Sequence, residues 1–544
     1  MKVIIISLRE WGENLVNRTD HAKKNIISGI INKLIAMLMP FIIRTAMIEV
    51  LGVEYLGLNS LFTSILHVLN LAELGFSQAV IYNLYKPMAE GNKPYIYALL
   101  NMYKKVYRIV GTIMMIVGLA LIPFLPKLIK NGSAPEDINL YMLYLIYLFN
   151  TVISYWLFAY MNCILYADQK NNVINNINSA VQIFLNCSQL IVLIILKNYY
   201  AYLILMPICT VINNLWIAYA TKKRYPDLRC EGTLDKQTIK SMKKNIVGLG
   251  IQKLCATTRN SLDSIFVSAF LGLTMTAVYN NYYMILSSLT ALVYIIANSI
   301  CSSVGNSIAT ESMEKNYQDM MRFNFLYMWI SGWTTVCLFC LYQPFMRLWM
   351  GGKGDDYVLP IIPVILFCLY YYVLRMGDIR SVYNESAGLF WETKVRAIAE
   401  SIGNILLNYI LVKLFGLTGI VAATLISLFL FNFIWSSQIT FRYYFKGIKI
   451  SSYFIAHCKY FFVTLIVCGI TFLLTNVLIS GESIIQLILR GVICAVFPNL
   501  LMLILYYRTK DYGEAIVWLC KKSPRLGFLS FLIPKNYKKG VNCQ

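Results

Sequence analysis

About fourteen apolar runs, each close to 20 residues long, dominate this sequence. A run of this length is what an α-helix needs to cross the hydrocarbon core of a bilayer. Because every backbone polar group must be satisfied inside lipid, such a chain can fold only as a set of spanning helices. Of its 544 residues 58% are hydrophobic and 14% are charged, and the mean hydropathy is +0.60. We therefore predict an all-α polytopic membrane protein.

The predicted spans form two sets of six and a final pair, and a basic stretch separates the two sets. The fourteen spans are predicted at residues 26–50, 58–82, 106–129, 139–163, 173–196, 199–220, 246–271, 278–305, 323–349, 358–380, 396–412, 417–440, 457–479 and 484–507. The predicted domains are a cytoplasmic N-terminal tail, a six-helix bundle, a basic cytoplasmic linker, a second six-helix bundle, two additional helices and a cytoplasmic C-terminal tail, at residues 1–25, 26–220, 221–245, 246–440, 441–507 and 508–544 in that order.

Lysine and arginine are distributed unevenly between alternate loops. With the N-terminus in the cytoplasm, about 35 of the 48 lie on the cytoplasmic side, as the positive-inside rule requires. We therefore expect both termini in the cytoplasm. The net charge of +22 then reflects topology and contact with anionic membrane lipids, and it does not indicate nucleic-acid binding. The few basic residues predicted on the opposite side are Lys127, Lys130, Lys197, Lys353 and Lys413.

No pattern in the sequence predicts a cofactor. The 14 cysteines are scattered through apolar spans, and the CxxC at Cys337 and Cys340 lies in the middle of a span without a second pair. The three histidines fall in separate segments, so no zinc site of the usual spacing is available. A phosphate-binding loop of the form GxxxxGK[ST] is also missing from the sequence. We expect neither a metal site nor an ATP-driven mechanism.

The two sets of spans carry an internal repeat. A shift of 220 residues, without a gap, aligns KNIISGIINKLIA (Lys24–Ala36) with KNIVGLGIQKLCA (Lys244–Ala256). The same shift aligns LGVEYLGL, which begins at Leu51, with LGLTMTAV, which begins at Leu271. Because six spans separate the copies, we expect parallel repeats related by an axis along the membrane normal, with a transport site between the halves.

Ionisable side chains inside two equivalent spans mark the candidate site. Lys33 and Arg44 are eleven residues apart in the first span, so they share a helix face over about 16 Å. Lys253, Arg259 and Asp263 fall in the seventh span, and the last two have the i,i+4 spacing of an ion pair. A charge in the middle of a span costs about 2.5–3.5 kcal/mol to insert. These faces are therefore expected to contact protein or water.

A structural interpretation of each charge stays open beside the functional one. Lys33 and Lys253 can extend to the headgroups, and Arg259 with Asp263 can be a pair that only fixes helix packing. The recurrence of lysine at one position of both halves, each with an arginine deeper in the membrane, favours a shared cationic cavity. Asp263 is then either the partner of Arg259 or an ion-coupling group.

Further cations and carboxylates lie in later spans. Arg375 and Arg380 of the tenth span have Asp378 between them as a candidate local partner. Glu400 of the eleventh span shares a helix face with Asn404 and Asn408, which also suits a polar packing seam. Cations outnumber carboxylates, and this excess favours a phosphate or pyrophosphate ligand. The predicted substrate-binding residues are Lys33, Arg44, Lys253, Arg259, Arg375 and Arg380, and the predicted ion-coupling groups or charge partners are Glu73, Asp263 and Glu400.

Three segments of the chain resemble bacterial polysaccharide-transport proteins. They are RTAMIEVLGVEYLGLNSLF (Arg44–Phe62), LAELGFSQAVIYNLYKPMAEGNK (Leu71–Lys93) and AGLFWETKVRAIAESIGNILLNYILVKLFGLTGIVAATLIS (Ala387–Ser427). The family in question contains the capsule and O-antigen repeat-unit flippases of the multidrug/oligosaccharidyl-lipid/polysaccharide exporter superfamily. The resemblance implies a MATE-like fold, with two six-helix bundles in a V around a central cavity and two additional C-terminal helices.

The resemblance also implies a function. The substrate would be an undecaprenyl-pyrophosphate-linked oligosaccharide, moved to the outer leaflet by alternating access, and the protein would not be an enzyme. Lipid II flippases carry clustered arginines near the start of the first span, whereas this chain has Lys33 there and Arg44 deeper. A capsule-type or other surface-polysaccharide substrate is therefore expected. The expected partners are this substrate, H+ or Na+ as coupling ion, membrane lipids and the polysaccharide polymerase machinery.

Two other functions are compatible with a polytopic chain of this kind. A multidrug antiporter of the same fold would need carboxylates to dominate its cavity, whereas lysine and arginine outnumber carboxylates among the ionisable residues of these spans. A membrane polysaccharide polymerase or ligase would need a long outward loop with catalytic groups, whereas the predicted outward loops are short.

Overall fold

The computed structural model describes most of the chain. The described residues are 38–70, 80–130 except 82, 85, 86 and 89, 134–235 except 169, then 239, 255, 259, 261–522, 531–534 and 537. All regular structure in these ranges is helical, and they contain no strand. Nine of their helices are long and apolar enough to cross a membrane, or ten if a bent pair, Leu140–Trp156 with Ala159–Ala167, forms one span. An all-α polytopic membrane protein is confirmed, and the count of fourteen spans stays a prediction.

The chain divides into two compact units, which are described here one at a time. The first comprises Met1–Lys127 and Gly132–Gly250, and the second comprises Leu128–Asn131 and Ile251–Gln544. The described helices of the first unit are α1 (residues 38–50), α2 (Val53–Leu69), α3 (Lys93–Leu121), α4 (Leu140–Trp156), α5 (Asn162–Ala167), α6 (Asn171–Leu196) and α7 (Tyr199–Arg224).

The second unit contains the rest of the described helices and a π-helix. Its α-helices are α8 (Ser261–Leu271), α9 (Leu273–Ser299), α10 (Cys301–Thr310), α11 (Met313–Met350), α12 (Ile361–Met376), α13 (Asp378–Ser386), α14 (Phe390–Ser427), α15 (Ser436–Tyr443), α16 (Ile450–Leu478), α17 (Ile484–Tyr506) and α18 (Lys510–Lys522). The π-helix (Leu428–Trp435) joins α14 to α15.

Side-chain caps explain where several helices begin. In the first unit Asn92, Asn139 and Asn198 each accept a backbone N–H of the first turn of α3, α4 and α7. In the second unit Ser483 and Gln486 form a capping box at the start of α17. Such caps accept hydrogen bonds from the N–H groups that a helix leaves unpaired at its N-terminus. An N–H group left without a partner is costly near a membrane, where water is scarce.

An aromatic core joins the last helices of the chain to α11. Phe325 of α11 packs edge-on against Tyr506 of α17, with ring centroids 5.2 Å apart, and against Tyr460 of α16 at 5.8 Å. Trp329, one turn further along α11, contacts Tyr506 and Tyr512 of α18. Offset and edge-to-face ring pairs of this kind add to the free energy of burial. The two spans predicted as additional helices are thus part of the second unit.

The internal sequence repeat is matched by the backbone conformation at two equivalent glycines. Gly52 lies between α1 and α2 with φ 113° and ψ 164°, and Gly272 lies between α8 and α9 with φ 98° and ψ 176°. Each glycine N–H donates to the carbonyl five residues earlier, that of Met47 and that of Val267, at 3.1 Å in both cases. The predicted equivalence of Leu51-Gly52 with Leu271-Gly272 is confirmed in conformation and hydrogen bonding.

A chain reversal inside α14 positions the candidate site. Gly416 has φ 56° and ψ −131°, which is not helical. Past Gly416 the chain returns alongside itself. Two close approaches show this: a Cβ on Gly419 would clash with the Leu411 carbonyl oxygen, and a Cβ on Gly403 would lie 2.8 Å from the Phe431 ring. The two arms of this hairpin correspond to the spans predicted at residues 396–412 and 417–440.

The repeated glycines make a testable prediction about stability. Their φ and ψ fall in a region that only glycine enters freely, so Gly272→Ala or Gly52→Ala should each lower the free energy of unfolding by about 1–3 kcal/mol. Thermal unfolding of the purified protein in detergent measures the effect. Gly469→Ala is the matched control, since a Cβ there meets nothing within 4 Å. Equal midpoints for Gly272→Ala and Gly469→Ala would contradict the strain argument.

Candidate functional site

The cationic part of the site is a carboxylate held between two arginines of the second unit. Arg259, two residues before α8, donates to Oε1 of Glu400, and Arg396 donates to Oε2 of the same residue at 2.5 Å. The side chains of Arg259 and Glu400 are each 7% exposed, and that of Arg396 is 13% exposed. Two guanidinium groups and one carboxylate give these three residues by themselves one net positive charge, and the Asp263 carboxylate also acts on Arg259.

This group sharpens the prediction for Glu400 and adds a residue. Glu400 was predicted to be a coupling group or a charge partner, and the structure makes it a charge partner with both oxygens occupied. Arg396 is missing from the sequence-based set because it stands where a basic loop meets the eleventh span. Its i,i+4 spacing to Glu400 was the available signal. The pairing of Arg259 with a residue 141 positions away has no local signal.

An acidic network lies further along the same helices. Asp263 of α8 is 1% exposed, and its Oδ1 accepts a hydrogen bond from Asn408 Nδ2 at 2.7 Å. Its Oδ2 accepts from Thr424 Oγ1 at 2.7 Å and from the Tyr279 hydroxyl at 3.3 Å. Asn404 Nδ2 donates to Thr424 Oγ1 at 3.1 Å, and Asn408 Nδ2 donates to Asn404 Oδ1 at 3.2 Å. The carboxylate is thus held by neutral donors.

The polar face predicted on the eleventh span is therefore a packing seam. Asn404, Asn408 and Thr424 are fully buried on the two arms of α14, and the reversal at Gly416 brings Thr424 beside the two asparagines. One acceptor in this seam, Asn408 Oδ1, is buried and has no hydrogen-bond partner within the part of the chain that the structure describes. A buried amide oxygen close to a carboxylate is a ligand that a cation can use.

The predicted local partner of the arginines in the tenth span is confirmed for one of them. Arg375 of α12 forms an ion pair with Asp378 at 2.9 Å, and the Tyr327 hydroxyl also donates to Asp378. The Arg375 guanidinium donates to the carbonyl oxygen of Thr290 at 3.3 Å and lies beside the Tyr371 ring. This arrangement connects α9, α11 and α12, and it neutralises the charge of Arg375.

Arg380 has a different environment from that of Arg375. It is 1% exposed, and its Nη2 donates to the Gly377 carbonyl, Ser381 Oγ and the Asn432 amide oxygen at 3.2–3.4 Å. Nε and Nη1 of Arg380 have no hydrogen-bond partner of normal geometry in the described ranges. It lines a small polar pocket together with Arg396.

The remaining predicted site residues belong to the first unit or lie outside the described residues. Arg44 is partly buried in α1, in electrostatic range of Tyr202 of α7. Tyr202 belongs to a tyrosine cluster in which the Tyr147 and Tyr199 hydroxyls are 3.2 Å apart. Lys33, Glu73 and Lys253 are outside the residues that the structure describes, so their assignments stay predictions.

Comparison with known families identifies the chain's relatives. The model of a family described as "Polysaccharide biosynthesis protein" matches residues 22–301, slightly more than half of the chain. The chain belongs to this family. The resemblance to polysaccharide-transport proteins is therefore confirmed, and the matched residues include Arg44–Phe62 and Leu71–Lys93 but not Ala387–Ser427. No protein of curated function matches the sequence.

Solved structures share the fold at low sequence identity. The lipid II flippase MurJ, in an inward closed conformation, is similar over 88% of this chain and 99% of its own, with 16% identity and a TM-score of 0.66. An inward-facing multidrug resistance MATE family transporter of the MOP superfamily has 13% identity and a TM-score of 0.59 over 74% of this chain and 94% of its own. A MOP superfamily transporter from Pyrococcus furiosus has 14% identity and a TM-score of 0.54 over 77% and 96%. The MATE-like fold is thereby confirmed.

Removal of the bridging carboxylate should strongly destabilise the second unit. Glu400→Gln leaves two buried guanidinium groups without a counter-charge, so we expect a loss of about 3–5 kcal/mol in the free energy of unfolding. Unfolding in detergent, followed by intrinsic fluorescence, measures this loss. Glu482→Gln is the control, because its ion pair with Arg347 is about half exposed and should contribute roughly 0–1 kcal/mol. Equal losses in the two variants would contradict a buried bridge.

Proposed function

We propose that this protein is a flippase that translocates undecaprenyl-pyrophosphate-linked oligosaccharide repeat units across the bacterial cytoplasmic membrane, with both termini in the cytoplasm. The units would supply capsule, O-antigen or another surface polysaccharide. The observation that carries the proposal is the buried group of Arg259, Glu400 and Arg396, which stays cationic in a chain of a polysaccharide biosynthesis family. The transporter folds of the similar structures support a transport role over a catalytic one.

The proposed substrate suits the charge of this group. Two guanidinium groups close together inside the membrane repel each other, and an entering pyrophosphate reduces that repulsion while accepting bidentate hydrogen bonds. The guanidinium plane also distinguishes phosphate oxygens from the neutral sugars that follow them. Lys33, Arg44 and Lys253 are proposed to take part in the same recognition, while the polyprenyl tail stays in lipid. Alternating access would then expose the head group on the outer side.

Asp263 is the proposed binding residue for a coupling cation. Its carboxylate supplies one negative charge and accepts hydrogen bonds from Asn408 Nδ2 and Thr424 Oγ1. The oxygens of Asn404, Asn408 and Thr424 belong to the same network, and we propose that they turn to a cation when one enters. Oxygen ligands suit hard cations, and a single carboxylate among neutral ligands suits a monovalent one, H+ or Na+. Among the described residues no group of three or more His, Cys, Asp or Glu side chains can hold a metal ion. Glu73 stays a second proposed coupling residue.

The flippase proposal makes a prediction that cells can test. Loss of the protein should cause lipid-linked repeat units to accumulate in the inner leaflet, where an impermeant probe outside does not reach them. Because a hydrogen bond to a charged group contributes about 1.5–3 kcal/mol, Arg259→Gln should restore at most about a tenth of the flux. Arg442→Gln, on an exposed residue, should restore it fully when both variants reach the membrane at equal levels.

Two outcomes of that experiment would overturn the proposal. Repeat units found outside but unpolymerised would assign the protein to polymerisation or ligation. Export of a lipophilic cation that survives Arg259→Gln would instead support a multidrug antiporter.

The coupling proposal is tested in proteoliposomes that contain a lipid-linked oligosaccharide. Imposed H+ and Na+ gradients are applied in separate experiments, and the head groups that reach the opposite leaflet are counted. Asp263→Asn keeps the shape of the side chain and removes its charge, so gradient-driven flux should fall about tenfold or more. Asp356→Asn, on an exposed residue, is the matched control. An undiminished gradient response in Asp263→Asn would remove this residue from the coupling mechanism.

A further inference from the structure

A small polar pocket lies in the second unit beside the ion-paired group. Its volume is about 90 Å³. It is formed between α13, the first turns of α14, the π-helix and the start of α15. The side chains that face it include Arg380, Ser381, Asn384, Arg396, Asn432 and Ser436.

Arg380 is the central residue of this pocket. The residue is 1% exposed, and Nε and Nη1 of its guanidinium have no hydrogen-bond partner of normal geometry among the described residues. Its Nη2 donates three hydrogen bonds of 3.2–3.4 Å to neutral oxygens. The Tyr453 hydroxyl and the carboxylates of Asp378 and Glu400 also act on the guanidinium, and they offset only part of the cost of burying it.

Arg396 brings a second guanidinium to the same pocket. Its Nη1 donates to Glu400, whereas its buried Nε has no hydrogen-bond partner among the described residues. One acidic residue, Glu385, also lines the pocket, and it is exposed and has contacts of its own. The two arginines therefore bring to the pocket three guanidinium nitrogens that no described residue accepts a hydrogen bond from.

Gly377 makes room for this arrangement. A Cβ at position 377 would lie 2.8 Å from Nη2 of Arg380 and 3.2 Å from Oδ1 of Asn432. The glycine thus lets the guanidinium lie against the backbone at the junction of α12 and α13. Any larger residue would move the Arg380 side chain or the Asn432 amide.

We infer that this pocket is a binding site for a phosphate group. Two arginines that converge with unused N–H donors match the oxygens of a phosphate, and the hydroxyl of Ser436 is a further donor. A volume of about 90 Å³ holds several water-sized probes of roughly 10–15 Å³ each. This space is large enough for one compact oxyanion.

The phosphate can come from a lipid headgroup or from free phosphate in solution, and both present the same oxygens. That it belongs to the lipid carried by the protein rests on the proposed function, whereas the binding of phosphate does not. Arg396 belongs to both groups, since one nitrogen contacts Glu400 and another faces the pocket. An anion bound here therefore lies next to the cationic group of the proposed transport site.

The test is phosphate binding by the purified full-length protein in phosphatidylcholine nanodiscs. Inorganic phosphate and pyrophosphate are titrated by calorimetry at constant ionic strength. Nanodiscs that also contain a polyprenyl phosphate test the lipid source, since lipid occupancy should suppress the titration. Arg380→Gln and Gly377→Ala should each weaken binding about tenfold or more, whereas the exposed Arg442→Gln should leave it unchanged.

A second measurement needs no variant. Phosphate should raise the thermal unfolding midpoint of the wild-type protein, while chloride at matched ionic strength should not. The absence of saturable binding of free and lipid-linked phosphate, or equal affinity in wild type and Arg380→Gln, would overturn the site. Loss of binding in Arg380→Gln with normal lipid flux would leave the site standing and separate it from transport. Phosphate binding in a protein that moves no lipid-linked oligosaccharide would overturn only the flippase.

Discussion

The second unit depends on one carboxylate shared by two guanidinium groups inside the membrane-spanning part of the chain. Glu400 meets Arg259 on one side and Arg396 on the other, and all three are mostly buried. In a medium of low dielectric constant neither an arginine nor a glutamate is tolerated alone, so this contact fixes α14 against the segment before α8. Asn404 and Asn408 lie one and two turns after Glu400, and the same placement brings Asn408 against Asp263.

The buried charges of the second unit separate into three groups with different properties. Arg375 is neutralised by Asp378, and the pair connects three helices, so we infer that its role is to hold these helices together. The group around Glu400 keeps an excess positive charge, and the group around Asp263 keeps a negative one with neutral ligands. A transporter that carries an anionic head with a cation needs groups of both signs close together. In the second unit Glu400 and Asn408 of α14 contact the two groups, with Arg259 and Asp263 four residues apart on the facing segment.

Local backbone chemistry makes this arrangement possible. Gly52 and Gly272 end equivalent helices in the same strained conformation, and this identity supports a duplicated origin for the start of each unit. Gly416 reverses the chain so that Thr424 returns to the level of Asn404. Gly377 admits the Arg380 guanidinium. At these positions the absence of a side chain allows polar groups to meet where lipid would otherwise isolate them.

The sequence by itself determined the class of fold, the repeat and the identity of most charged site residues. It could do so because each segment must by itself be long and apolar enough to cross the bilayer, and because each charge within a span carries its own insertion cost. The pairing of Asp378 with Arg375 was also predictable, since their i,i+3 spacing brings the two side chains together. Only the tertiary structure decided that Arg259 meets Glu400, that Asp263 meets Asn408 and Thr424, and that Arg380 and Arg396 share a pocket. Those partners lie far apart in the chain, and helical spacing carries no information about which helix faces which.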